Sequence, residues 1–334
     1  MVAVCSEGRC AEIFSEAGVA CGEVVGCMGG ICDGFGRCLS ASACAGGQYC
    51  FEGACEALPE DFVRVPPGTF TMGSPEGEPG RDDDLEFQQE VTITRELLFQ
   101  SVEVDQYRWE GMLSDRPFGD ANDQCSRCPA DSVTWVAALY YANGLSMAEG
   151  LDPCYLLSDC SGDFVSGSIF GCDTVEITSA TGHPSDCEGY RLPSEAEWEW
   201  GARGRTVTAF HSGSLEEAQD CPTASLALDR AGWYCANADD GHHEQGRRFA
   251  PNLFGLYDMH GNVREWTYDT FASDAARGPD DPVFMDEVVE FHTVRGGSYG
   301  DPAHKCRSAS RHKAWYTSSE PDIGFRLVRT VLRR

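Results

Sequence analysis

Residues 191–204 read RLPSEAEWEWGARG, and this stretch carries the clearest start and stop of any helix in the chain. Ser194 and Glu197 have the spacing of a capping box, in which each satisfies a free backbone N–H of the other. Gly204 suits the left-handed turn that ends a helix. The acids Glu195, Glu197 and Glu199 then read as carboxylates at a helix N-terminus, held by the helix dipole, rather than as a catalytic pair. Working outward, Asp105 can cap a second helix running through Trp109 and Met112. Thr134 can cap a third that carries Val136, Leu139 and Tyr140 on one face. Short β-like runs such as FVRV at 62–65 and VTITR at 91–95 alternate with these helices and with long glycine-rich loops.

The 334 residues carry 25 Lys and Arg against 54 Asp and Glu, a formal net charge of −29. A chain so acidic is a poor match for nucleic acid. With 42% hydrophobic and 24% charged residues, a chain of about 300 residues buries roughly three quarters of its unfolded surface, which excludes general disorder. The longest apolar run, Trp135 to Ala142, is under half of the roughly 20 residues a membrane helix needs, so no transmembrane segment is expected. Lys305 and Lys313 are the only lysines. That bias toward arginine points to a GC-rich coding sequence more than to a binding surface.

Eighteen cysteines imply an oxidising, extracytoplasmic setting: secreted, periplasmic or at the cell surface. The opening MVAVCSEGRC shows neither a basic nor an apolar signal region, so an export signal is not expected within this chain. Nine cysteines fall in the first 55 residues, where apolar mass is too scarce for a core and crosslinks must restrict the unfolded ensemble instead. The hexapeptides CSEGRC, CMGGIC and CFEGAC recur there as a short internal repeat. The expected organisation is a disulfide module over 1–57, a linker at 58–61 and a main domain over 62–332.

PPGTFTMGSPEGEPGRDDD (66–84), GYRLPSEAEWEWGARG (189–204), PNLFGLYDMHGNVREW (251–266), VRGGSYGDPAHKCRSASR (294–311) and IGFRLV (323–328) stand in the order found in the formylglycine-generating-enzyme, or sulfatase-modifying factor, family. The resemblance spans nearly all of 62–332. It implies an irregular α+β fold related to C-type lectins, with little regular secondary structure, and a cleft near the GGS segment. Oxidase members convert a sulfatase cysteine to formylglycine with O2 and a copper(I) ion between two thiolates, soft donors that suit Cu(I). The corresponding positions here are Asp301 and Cys306. A carboxylate is a hard ligand and cannot replace a thiolate, and CRSASR is similar to the segment of non-oxidase members. Arg264 stands where active oxidases carry a tryptophan. Copper is therefore not expected, and Ser298, Asp301, Cys306 and Arg264 are candidates for lining a ligand cleft.

The leading expectation is a non-canonical member that binds a protein, glycan or small-molecule ligand. The alternatives are a true formylglycine-generating oxidase and a non-haem metal-dependent oxidase. The last requires three convergent ligands, whereas the eight histidines (183, 211, 242, 243, 260, 292, 304, 312) are dispersed. Ser298 has no identifiable histidine and acid beside it for serine chemistry.

A structural calcium ion is expected at DMHGNVREW. Asp258 and Glu265 offer hard carboxylate oxygens, and the carbonyls of Gly261 and Val263 offer two more; the same four positions match the family's calcium loop. A second, weaker site falls on Asn237 and Asp240, in a shortened stretch. Among the nine cysteines of the main domain, the CxxC of Cys125 and Cys128 reads as a structural bridge rather than a redox motif. Cys154, Cys160, Cys172 and Cys187 crowd one region, Cys221 and Cys235 are a further candidate pair, and Cys306 is the odd thiol.

Overall fold

The computed structural model describes the strand segments 2–6, 9–12, 31–33 and 48–51, and residues 54–113, 125, 127–163, 168–238, 247–272, 278–286 and 290–332. The chain divides into two compact units: Met1–Arg64 with Val331–Arg334, and Val65–Thr330. In the first, β1 (Val2–Ser6) pairs antiparallel with both β2 (Arg9–Glu12) and β3 (Ile31–Asp33), and β4 (Gln48–Phe51) pairs with β5 (Ala54–Ala57). The register sets Cys5 opposite Cys10 and Cys50 opposite Cys55. Two of the three hexapeptides are therefore hairpins with a cysteine on each arm. Cys55 is disulfide-bonded; the other expected crosslinks of this segment lie outside the described residues. A short strand, β6 (Phe62–Val65), follows.

The second unit holds β7 (Gly68–Met72), β8 (Gln89–Ile93), β9 (Leu97–Gln100), α1 (Gln106–Met112), α2 (Trp135–Ala148), β10 (Tyr155–Asp163), β11 (Ser168–Ile177), α3 (Glu195–Arg203), β12 (Arg264–Thr270), β13 (Phe291–Arg295), β14 (Arg311–Trp315), β15 (Ile323–Gly324) and β16 (Val328–Thr330). Its main sheet has the order β14-β13-β12-β15, antiparallel except for the β12–β15 pair. Hairpins β7–β8 and β10–β11 and the antiparallel pair β9–β16 stand apart from it. Short elements joined by long loops make this the α+β fold of low regularity expected from the sequence. Among the described residues no helix is long and apolar enough to cross a membrane.

All three helix starts form where expected. Asp105 accepts from the N–H of Arg108, Thr134 from that of Ala137, and Ser194 and Glu197 close a complete capping box. The face of α2 differs from expectation: Tyr140 is half-exposed while Tyr141 is buried. Tyr141 stacks on Trp109 at 5.6 Å, and both meet Phe325 edge-on. Nearly the whole circumference of α2 is covered, so a one-face reading understates its burial.

Helix α3 is buried at every one of its residues, which its charge alone would forbid without counterions. Each acid has an arginine. Glu195 takes Arg311, Glu197 takes Arg191 through two bonds of 2.6 and 2.7 Å, and Glu199 takes Arg203 at 2.8 Å together with Arg295. The dipole reading of these carboxylates is thus incomplete; guanidinium pairs, not solvent, let them into the core. Four disulfides crosslink this unit: Cys154–Cys187, Cys160–Cys172 across β10 and β11, Cys125–Cys128 and Cys221–Cys235.

Candidate functional site

The GGS segment makes the turn that leaves β13. Gly296 and Gly297 adopt φ of 93° and 70°, a region costly for any residue with a Cβ. A Cβ on Gly297 would also lie 2.7 Å from the Cys306 sulfur, so both backbone shape and space demand glycine. The turn brings the Ser298 N–H to 2.9 Å from Asp301 Oδ2 and its hydroxyl to 3.0 Å from Oδ2 of both Asp301 and Asp322. Arg264, at the start of β12, completes the group. Its Nε and Nη2 donate to the two oxygens of Asp301 at 3.0 Å each, and its Nη1 lies 3.1 Å from Asp322. Burial alone would lower the pKa of Arg264, but Asp301 and Asp322 outweigh it and hold the guanidinium more firmly charged.

Cys306 follows the single turn Ala303–Lys305 and is fully buried, with Sγ 3.9 Å from the carbonyl of Ser298 and 3.8 Å from that of Pro302. It is the free cysteine among the described residues. Burial, reinforced by Asp301, pushes its thiol well above the ordinary cysteine value, so at neutral pH it is a protonated thiol. Copper(I) needs two soft thiolates. Here the second position is a carboxylate already bound to an arginine, and the remaining cysteines of this unit are paired in disulfides. The residues present do not fit copper.

The wall beside this cluster is anchored by Arg307 of CRSASR. It is fully buried and ties the 73–86 loop to the 300–311 loop through Glu86 at 2.7 and 2.8 Å and Glu78 at 2.8 Å. Between the walls opens a cleft of about 810 Å³ lined by Asp82, Leu85, Arg264, Phe271, Ala272, Lys305, Arg311, His312 and Lys313. Both lysines of the chain are among these residues. Their rarity suggested codon usage, and nothing in their spacing indicated that the fold would place them together. Of the four cleft candidates, Arg264 lines this volume, Asp301 binds it, Ser298 bonds Asp301, and Cys306 is buried beside the Ser298 carbonyl.

The four expected calcium positions lie on the loop before β12 and on its first residues. Asp258, at φ of 52°, accepts at Oδ2 from the N–H of Arg247 at 2.8 Å, while its Oδ1 is buried without a partner. Glu265 accepts from Arg326 Nε and Nη2 and from Trp198 Nε1, each at 2.7 Å. Glu103 closes the group, with Arg326 3.8 Å away. Burial, then the neighbouring carboxylates, raises Glu103 well above the usual range; Asp258 is raised to about 6 by burial first, with Glu265 adding to the rise. The N–H of Gly261 donates to Gly296 at 2.8 Å, stitching this loop to the GGS turn, and Val263 is fully buried. Among the described residues no three or more His, Cys, Asp or Glu side chains converge as a metal cluster. Of the expected ligand oxygens, Asp258 Oδ1 is buried without a partner, whereas both oxygens of Glu265 are already taken by Arg326 and Trp198. At the weaker position, Asn237 is committed to its own turn, bonding Tyr234 and Gly232, and Asp240 lies outside the described residues.

Comparison with known proteins agrees with this geometry. The Sulfatase-modifying factor enzyme 1-like domain matches residues 49–331. "Chaperone protein LppX" of Paenibacillus barcinonensis is 25% identical over 311 residues, covering 87% of this chain and 97% of the relative. The formylglycine-generating enzyme of Mycobacterium tuberculosis is 31% identical over 201 residues, or 50% of this chain and 64% of that enzyme. Among solved structures, Treponema denticola variable protein 1 superposes with a TM-score of 0.66 at 24% identity, covering 84% of this chain and 98% of that one.

Proposed function

The chain belongs to the sulfatase-modifying factor family, and from that premise we propose that it is an extracytoplasmic, non-oxidase member that binds a ligand in the cleft beside the GGS turn. The observation that carries this reading is the ion pair of Arg264 with Asp301, standing over the buried thiol of Cys306. In this arrangement the two positions an oxidase needs for soft metal ligands hold a neutral thiol and a neutralised carboxylate. Among the described residues no second free thiol stands beside Cys306, and that thiol is itself buried. What remains is a shaped cleft with fixed polar walls, suited to recognising a protein segment, a glycan or a small molecule. The relative that the chain matches over nearly its whole length is named a chaperone, which favours a binding role over oxidation. Four disulfides within the second unit support an oxidising compartment.

Calcium completes the proposal as a structural ion, held by Asp258, the carbonyls of Gly261 and Val263, and Glu265 shared with Arg326. Bound there, it supplies charge for an otherwise orphaned carboxylate oxygen. The experiment that tests the functional reading is an oxidation assay on the full chain, loaded with copper(I) under O2 and given a sulfatase-type cysteine peptide. No aldehyde is expected. Aldehyde that depends on copper and O2 and disappears in Cys306→Ala would overturn the binding reading in favour of the oxidase.

A further inference from the structure

The cleft is chemically unlike the rest of the molecule. In a chain of net charge −29, four cationic side chains line it against one acid, Asp82. Two of those cations are already committed. Arg264 is bound to Asp301 and Asp322. Arg311 donates to both oxygens of Glu195 and to the carbonyl of Leu85. Lys305 and Lys313 differ: among the described residues neither ammonium has a carboxylate partner. Lys313 is exposed and Lys305 half-buried. The Lys313 ammonium rests instead over the rings of Phe291 and Phe271, at 4.8 and 5.6 Å from their centroids, a contact that leaves most of its charge unsatisfied.

His312, between the lysines, adds no charge, since burial pushes its pKa down to about 4. Leu85, Phe271 and Ala272 supply the apolar part of the lining. A volume near 810 Å³ is in the usual range for small-molecule sites. Lysine, a compact and mobile point charge, suits an oxyanion approached from several directions better than a planar, bidentate one.

We infer that this cleft takes a ligand bearing an oxyanion, a carboxylate, sulfate or phosphate, which Lys305 and Lys313 bind while its apolar body lies against Phe271 and Leu85. The inference rests on the ligand-binding reading above and names the chemical class of that ligand. The surrounding negative field sharpens the selection, because an anion gains only where those two ammonium groups outweigh it.

The test uses the full chain and three probes followed by ligand-observed NMR: phenyl phosphate, benzoate and uncharged benzyl alcohol. Phenyl phosphate and benzoate should bind at low salt and weaken several-fold in about 0.5 M NaCl, where screening acts within about 4 Å. In the double variant Lys305→Gln/Lys313→Gln their affinity should fall about tenfold or more, the loss of roughly 1.4 kcal/mol, with the melting curve unchanged. Benzyl alcohol should bind the two proteins alike, and Phe271→Ala should weaken all three probes. If benzyl alcohol binds as well as the anions and the double variant changes nothing, the oxyanion class is overturned while the cleft stands as a ligand site. If no probe binds in either protein, the inference is overturned and the ligand-binding reading loses its support with it. Binding of phosphate but not benzoate keeps the inference and narrows it to dianionic groups.

Discussion

Arg326 and Arg264 each bring carboxylates together, yet they do so in different solvents. Arg326 is fully buried, bound to Glu265 by two bonds and near Glu103 and Asp258, which are buried as well. Arg264 keeps about a fifth of its side chain exposed, 22%, and Asp322 is 20% exposed. Two charged groups in a low-dielectric interior depend wholly on each other. The same pair at a surface shares its charge with water, and little stability depends on it. The first cluster therefore belongs to the scaffold, and the second is placed where a ligand can meet it.

The largest expected effect breaks the buried cluster. Arg326→Met leaves Glu265 and Glu103 together beside Asp258 without the guanidinium they share, and removing one partner of a buried pair costs about 3–5 kcal/mol. Chemical denaturation of the variant at neutral pH should show that loss. It should be partly recovered at low pH, as the carboxylates take up protons. A loss no larger than that of Arg264→Gln would mean that the two clusters do not differ in the way their burial implies.

Much of this architecture was legible in the sequence because it is local. The capping box of Ser194 and Glu197, the glycines of the GGS turn and the pairing of Cys125 with Cys128 are all set within a few residues. Cys306 as the odd thiol followed from parity. The arginine partners were not legible, because Glu265 and Arg326 are 61 residues apart, Glu86 and Arg307 221. No periodicity encodes such a pairing. One signal was present: arginines inside otherwise apolar or glycine-rich strings, as in GFRLV, VRGG and YRLP, are improbable at a surface and mark buried counterions. A cleft near the GGS turn was expected from the resemblance, but its lysine lining was hidden for the same reason. Lys305 and Lys313 are close in sequence, but the wall opposite them comes from Asp82 and Leu85.

A smaller effect sharpens the comparison through Asp258. Its carboxyl is raised from an ordinary 3.8 to about 6, so the folded state holds this proton more tightly than the unfolded one. In metal-free protein the group therefore favours folding at low pH, and that contribution is lost as pH rises from about 4 to above about 6, an effect on the order of 3 kcal/mol. Asp258→Asn should lack this slope, so the difference between the two pH–stability curves isolates it from the buried histidines. Calcium demands the ionised carboxylate and should restore stability at higher pH, by about 2.7 kcal/mol at a hundredfold excess over Kd. The variant should show little of that gain. Identical curves for the two proteins, with and without calcium, would remove Asp258 from the proposed ion site.

The smallest stability change is expected at the half-buried cluster of Arg264, and its value lies in being small. Arg264→Gln removes a partly solvated guanidinium from Asp301 and Asp322, which retain the Ser298 hydroxyl and water, so the loss should stay within about 1 kcal/mol. Function should change more than stability. Freed from Arg264, Asp301 and Asp322 present negative charge at the rim of the cleft, opposed to Lys305 and Lys313. Anionic probes should therefore bind the variant more weakly, most of all at low salt where the field reaches farthest. Benzyl alcohol should not register the substitution. A variant that unfolds with a loss of several kcal/mol would place Arg264 with Arg326 in the scaffold. A variant as stable as the wild type that still binds anions equally well would show that the lysines act independently of the cluster beneath them.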